Sequence, residues 1–269
     1  MPFYNKRLIL DYDLLEDAMN LPEDRQNEIF ADITLSKIGP LIEYLYQTNK
    51  NKISLFNSTQ SPFIEKLNKI LWLKNLHQQP LNTNLTAQTE EFCKCCQSDS
   101  EYENAKWFAF CQRLKDAAQK SGLPENFAKA LAGTFEEMAG NVTEHSEATD
   151  TGIAGYRWSP GEFEYVVADS GIGVLNSLRK NDKYDYLIDY GQALEVALQD
   201  GQTMKTEPGS ELGFHGLLRN IANLNSYLRF RSGDHYHMID GTDTTLQRKT
   251  KACTFMNGFL ISVICKSEV

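Results

Sequence analysis

Three short constellations in this chain place polar side chains or backbone amides where they could do chemistry. The first is Glu137, Asn141 and His145, spaced four residues apart. Residues 125–145 also carry Phe127, Leu131, Phe135, Met138 and Val142 at the three-and-four spacing of one buried helix face. At about 100° per residue the three polar side chains form one stripe beside that face, His145 nearest the core edge and Glu137 furthest from it. A solvated acidic face accounts for Glu136, Glu137 and Glu144. It does not account for an Asn and a His on the same stripe, or for Gly140 between them. A glycine inside a helix costs roughly 1 kcal/mol, so a close neighbour is expected at Gly140.

The second constellation is Asp169-Ser170-Gly171-Ile172-Gly173. It follows a hairpin pattern: a strand over 152–158, a Pro160-Gly161 turn, and a return strand over 163–168. The glycines let the backbone turn sharply and approach a ligand, and Asp169 sits at the strand's end as a hydrogen-bond acceptor. A simple tight loop fits this pattern about as well. The third runs from Pro208 to Gly216, with Gly209, Gly213 and Gly216, and opens a helix with Leu217, Leu218, Ile221 and Leu224 on one face. A glycine-bearing loop entering a helix is a recipe for phosphate binding, because free amides and the helix dipole both favour an anion. No GxxxxGK[ST] occurs, so it is not a P-loop, and the spacing from Gly171 to Gly213 excludes a dinucleotide GxGxxG.

Taken in order, Glu137-xxx-Asn141-xxx-His145, Asp169-x-Gly171-x-Gly173 and Gly213-xx-Gly216-Leu217 resemble the motifs of the GHKL ATPase superfamily. That superfamily includes gyrase B, MutL, the large heat-shock chaperones, histidine kinases and anti-sigma serine kinases. The resemblance covers roughly residues 105–269 and is nearest the stand-alone and anti-sigma branch, on the strength of His145 after Asn141. It implies ATP and Mg²⁺ as cofactors, with Asn141 as the metal-coordinating residue and Glu137 as the carboxylate that activates a water or a hydroxyl. By the same resemblance Asp169 binds the adenine amino group beside Gly171 and Gly173, Gly213 and Gly216 lie on the phosphate side, His145 joins the nucleotide-binding set, and residues 174–212 form a lid. The second glycine box reads Gly213-Phe214-His215-Gly216 rather than an alternating Gly-x-Gly-x-Gly.

The fold so implied is α/β: a two-layer α/β sandwich of the Bergerat ATP-binding type, its sheet covered by helices on one face and closed by strands at 227–233 and 259–264. A small α/β domain precedes it. There, Ile29 to Leu45 has helical spacing interrupted at Gly39-Pro40, residues 52–56 read as a strand and 63–76 as an amphipathic helix. This unit is similar in topology to STAS-like regulatory domains. Residues 77–104 read as a polar linker, so the domains are set at 1–98 and 99–269. The segment from Asp234 to Cys253 is too long for a simple hairpin and reads as a surface insertion.

Composition bounds the partners. The 269 residues carry 36 acidic and 27 basic side chains, a net charge of −9 with no long basic run, which disfavours nucleic acid. The apolar stretch at Phe259–Cys265 falls far short of the roughly 20 residues that span a bilayer, and the amino terminus has no signal-peptide core. A cytoplasmic protein is expected, partnered by ATP and a regulatory protein, with a homodimer left open. Cys93 and Cys96 have metal-like spacing, but no second pair follows, and reduced thiols are the plainer reading. The functional expectation is a Mg²⁺-dependent ATPase or an anti-sigma-like serine kinase. The alternatives are a nucleotide-switched binding module and an atypical sensor histidine kinase. His77-Gln78-Gln79-Pro80 only superficially resembles a phosphoacceptor box, since the dimeric hairpin around it is missing.

Overall fold

Phe163, Tyr165, Val166, Val167 and Ala168 form an almost unbroken apolar run, the pattern of a strand covered on both sides. All five are fully buried. The computed structural model describes residues 8–31, 33–47, 81–85, 88–95, 100–200, 226–241 and 250–267. Among them, strands β1 (Leu8–Leu10) and β2 (Ile33–Leu35) pair in parallel. Strands β3 (Leu81–Leu85), β4 (Gln88–Lys94), β5 (Ile153–Ser159), β6 (Glu162–Ala168), β7 (Ser226–Asp240) and β8 (Lys251–Lys266) form one antiparallel sheet in the order β3-β4-β5-β6-β8-β7. The helices are α1 (Tyr12–Met19), α2 (Glu23–Ala31), α3 (Gly39–Gln47), α4 (Glu101–Lys120), α5 (Glu125–His145), α6 (Gly173–Leu178) and α7 (Tyr190–Asp200). The α/β class is the expected one.

Residues alternate across a strand, so β6 faces two ways. Phe163, Tyr165 and Val167 join a core with Phe110 and Leu114 of α4 and Leu131, Phe135 and Met138 of α5. The aromatic rings interlock there, Phe135 meeting Tyr165 edge-on at 5.5 Å and stacking on Trp107 at 5.8 Å. Helix α5 runs over the span expected of it, and the hairpin β5–β6 turns where Pro160-Gly161 indicated.

The opposite face is also covered. Val166, Ala168, Leu260 and Met256 share a core with Leu10, Leu15, Phe30, Ile38, Leu41, Ile42 and Leu45. The amino-terminal unit thus lies against the back of the sheet, forming a layer beyond the one helical face that was expected. Helix α3 anchors it. Pro40 has no N–H, and the amides of Ile38 and Gly39 at the helix start donate to the buried Glu164 carboxylate at 3.0 and 2.7 Å. Further along, Arg229 and Arg231 of β7 reach Glu16 and Glu43, with Arg229 donating to Glu43 at 2.7 Å. The attraction of the two guanidinium groups outweighs the burial of Glu43, whose pKa is lowered.

Two expectations for the connecting segments are corrected. The stretch 77–104 is not a plain linker, since β3 and β4 lie within it and extend the sheet. It reads as polar because Glu90 and Glu91 are adjacent, yet both are buried and paired. Glu91 accepts from Arg113 (2.6 Å) and the Tyr156 hydroxyl (2.6 Å), and Glu90 lies 3.7 Å from Arg157. The segment 234–253 is not an insertion in its described parts, because β7 and β8 continue through it as a long hairpin, with register shifts at Gly233. The strand at 52–56 and the helix at 63–76 lie outside the described residues, as does His77.

Removing the acceptor at the start of α3 leaves two buried amides without it. Glu164→Ala is therefore expected to lower unfolding free energy by about 2–3 kcal/mol, read from the denaturant midpoint. A loss under about 0.5 kcal/mol, within the range of ordinary surface changes, would show that α3 docks by apolar contact alone.

Candidate functional site

Helix α5 ends at His145, and the chain returns through a 3₁₀ turn at Thr149–Thr151 into β5. After the hairpin, Asp169 emerges from β6 beside the point where α5 stopped. Local hydrogen bonds hold this meeting. Ile172 N–H donates to the Ser146 carbonyl (2.9 Å), Ser170 N–H to Thr151 Oγ1 (3.0 Å), and Asp169 N–H to the Phe259 carbonyl of β8 (3.0 Å). Val174 N–H reaches Ser232 Oγ of β7 at 3.0 Å, and that hydroxyl donates to the Gly258 carbonyl at 2.7 Å. Two glycines make the approach feasible. A Cβ on Gly171 would collide with the Ser146 carbonyl, and one on Gly258, at φ +76, with Asp169 itself.

The Asp169 carboxyl is 1% exposed. Its Oδ1 accepts from Gly171 N–H at 2.6 Å. Its Oδ2 is buried with no hydrogen-bond partner among the described residues. Burial pushes the pKa up to about 7, and the bonds around Gly171 and Phe259 pull it back only in part. A buried carboxylate oxygen without a donor is uncommon, and it gives the site an unmet demand for one N–H or O–H.

The stripe on α5 is where the sequence put it. Glu137, Asn141 and His145 are all half-buried, along the edge of the face that carries the core residues Phe135, Met138 and Val142. At about 1.5 Å per residue, Asn141 lies about 7.5 Å and Glu137 about 13.5 Å along the axis from Ser146. The charge of Glu137 is felt by the buried Tyr165 hydroxyl, which also lies 3.3 Å from Thr134 Oγ1; burial is the main cause of that phenol's raised pKa. Asn141 Nδ2 lies 3.9 Å from Met138 Sδ, a weak contact. His145 Nε2 is 3.9 Å from the Glu144 carboxylate.

The expected close neighbour of Gly140 is absent among the described residues: a Cβ there would meet open space. The glycine instead leaves the surface low beside Asn141. Gly173, at φ +74, opens α6 close to Ser232 and Gly258. Gly213 and Gly216 lie outside the described residues, as does Cys96. Of the segment expected as a lid, the described part forms α6, a 3₁₀ turn at Asp182–Tyr184 and α7, around a small cluster of Leu175, Tyr184, Leu187 and Ala193. Lys180 pairs with Glu147 at 2.6 Å, tying this part to the end of α5. No group of three or more His, Cys, Asp or Glu able to hold a metal occurs among the described residues, and neither Cys93 nor Cys95 forms a disulfide with another described residue.

Sequence reasoning missed Ser146, Thr151, Ser232 and Gly258, which hold the Asp169 loop. A signal existed for one of them: an isolated glycine in an apolar strand, as at Gly258, marks a close approach of another backbone. Among the described residues, no helix is long and apolar enough to cross a membrane. Comparisons of the chain with models of protein families, with curated proteins and with solved structures returned no match.

The raised Asp169 pKa fixes a sign. Between pH 4 and 7 the unfolded chain has released this proton while the folded protein keeps it, so its contribution to stability falls as pH rises and levels off above about 7. In the absence of ligand, the melting temperature of Asp169→Asn relative to wild type is expected to climb from pH 4 to pH 7 and then stay flat. A constant difference across that range would contradict a buried, proton-holding Asp169.

Proposed function

We propose that residues 99–269 form a Mg²⁺-dependent ATP-binding domain of the GHKL type, acting as an ATPase or as a protein kinase on a serine hydroxyl. The observation that carries this reading is the buried Oδ2 of Asp169, an acceptor at the mouth of the sheet with no donor among the described residues. An adenine amino group supplies such a donor, and the Asp169–Gly171 contact leaves that oxygen free to receive it. The ordered sequence of motifs, and an antiparallel sheet backed by α4 and α5, support the same reading.

With the base at Asp169, the phosphates would lie along α5, toward Asn141 and Glu137. The carbonyl oxygen of Asn141 and the phosphate oxygens would together hold Mg²⁺, which neutralises phosphate charge. The low surface at Gly140 gives the phosphate chain room to lie close to the helix. Glu137 accepts the proton of the attacking water or serine hydroxyl as the new O–P bond forms. The bond between the β–γ bridging oxygen and the γ-phosphorus breaks, and its electron pair leaves with ADP. Half-burial at the helix surface leaves Glu137 reachable by a substrate.

Asp169→Asn is expected to weaken ATP binding by roughly 10- to 100-fold in a calorimetric titration, the worth of a charge-assisted hydrogen bond. Glu137→Ala is expected to bind ATP as wild type does while losing phosphoryl transfer, followed with labelled ATP in the presence of candidate protein substrates. Unchanged affinity in the first variant removes the adenine assignment. Equal turnover in the second removes the base, and binding with no turnover in either protein makes this a nucleotide-switched binding module.

A further inference from the structure

The Asp169 loop is held from the back of the sheet as well as from the front. Tyr46, in the last turn of α3, is buried and sends its hydroxyl to two backbone carbonyls, those of Thr151 and of Ala168, the latter at 3.2 Å. Ala168 directly precedes Asp169 in the chain. Thr151 carries the hydroxyl that receives Ser170 N–H, directly after Asp169, and that hydroxyl donates in turn to the Ala148 carbonyl at 2.7 Å. One phenol proton is thus shared between the two backbone segments that flank the acid. The ring is fixed by a helix packed from Leu41 to Leu45 against the sheet. The negative charge of Asp169 contributes to raising the phenol's pKa, after burial and Cys95, as expected of groups that lie close together.

We propose that Tyr46 is a positioning residue for Asp169, so that the amino-terminal unit sets how well the site reads the base of a nucleotide. The idea rests on the ATP-site reading for its ligand but not for its geometry. Asp169 Oδ2 must meet a donor within a few tenths of an ångström, and its direction depends on the backbone at 168–170. Tyr46 pins the first of these residues directly and the third through Thr151. It lies in the core on the far face of the sheet from α5, so the effect falls on base selection and leaves contacts to the phosphates alone.

The test compares wild type, Tyr46→Phe and Ile42→Val. The last loosens the same helix without touching the loop. In ligand-free protein, hydrogen exchange at the Ser170 and Gly171 amides is expected to quicken in Tyr46→Phe and to match wild type in Ile42→Val. In titrations with ATP and with GTP, Tyr46→Phe is expected to lose about three- to tenfold in ATP affinity, the worth of one buried hydrogen bond, while its GTP affinity stays constant. The preference for ATP therefore narrows, which general destabilisation would not produce. Unchanged exchange at both amides overturns the positioning role, whether or not the protein binds ATP. Faster exchange with ATP and GTP affinities falling together overturns the base-specific role. A wild type with no preference for ATP overturns the nucleotide reading, and the exchange result then decides Tyr46 by itself.

Discussion

Glu164 is a carboxylate in the middle of a sheet with no access to water, and the far face is organised around that constraint. Desolvation raises its pKa, and what holds the charge in place is the pair of amides at the start of α3, helped by Lys37 and Arg157. A helix start has spare amides and a partial positive charge, so each solves the other's problem. Helix α3 then runs alongside β6, and at its other end Tyr46 meets the Ala168 carbonyl. The rise from Gly39 to Tyr46 is about 10.5 Å, and the tyrosine side chain covers the remainder of the roughly 13 Å that separates positions 164 and 168 on a strand. Helix and strand are matched in length and fastened at both ends, and Asp169 is the next residue along.

The front of the sheet is built by more ordinary means. Aromatic rings from α4, α5, β5 and β6 interlock, and α5 ends where the Asp169 loop begins. A helix carried by a rigid ring cluster is a good mount for a polar stripe, because its direction cannot drift without disturbing the core. The site therefore joins a rigid helix face to a loop braced by backbone bonds from several strands.

Much of this front half was legible in the sequence. The spacing of Phe127, Leu131, Phe135, Met138 and Val142 defines a helix by itself, and Pro160-Gly161 between two apolar runs defines a hairpin. The back half was hidden for a physical reason. Glu43, Glu90, Glu91, Glu164, Arg229 and Arg231 are charged residues that fold into the interior, and hydrophobic patterning assigns such residues to the surface. Their partners are mostly far away in sequence, as Glu43 is from Arg229, so no local window contains both members of a pair. Strand β4 was missed for this reason, and the wrap of the amino-terminal unit with it. The continuous apolar run in β6 did carry the information that both faces are covered; it names no covering partner.

The contact between α1, α3 and β7 has a consequence for how the chain is made. Glu16 and Glu43 are synthesised early, and Arg229, Arg231 and the strand that pairs with them emerge some two hundred residues later. Until then the first helices lack these counter-charges and the part of the apolar wall that β8 supplies through Met256 and Leu260. Pairings this remote slow folding, because the long loop must close before any contact rewards it. A molecule truncated before β7 would leave Glu43 without its two arginines, a buried charge turned into a recognisable mark of unfinished synthesis.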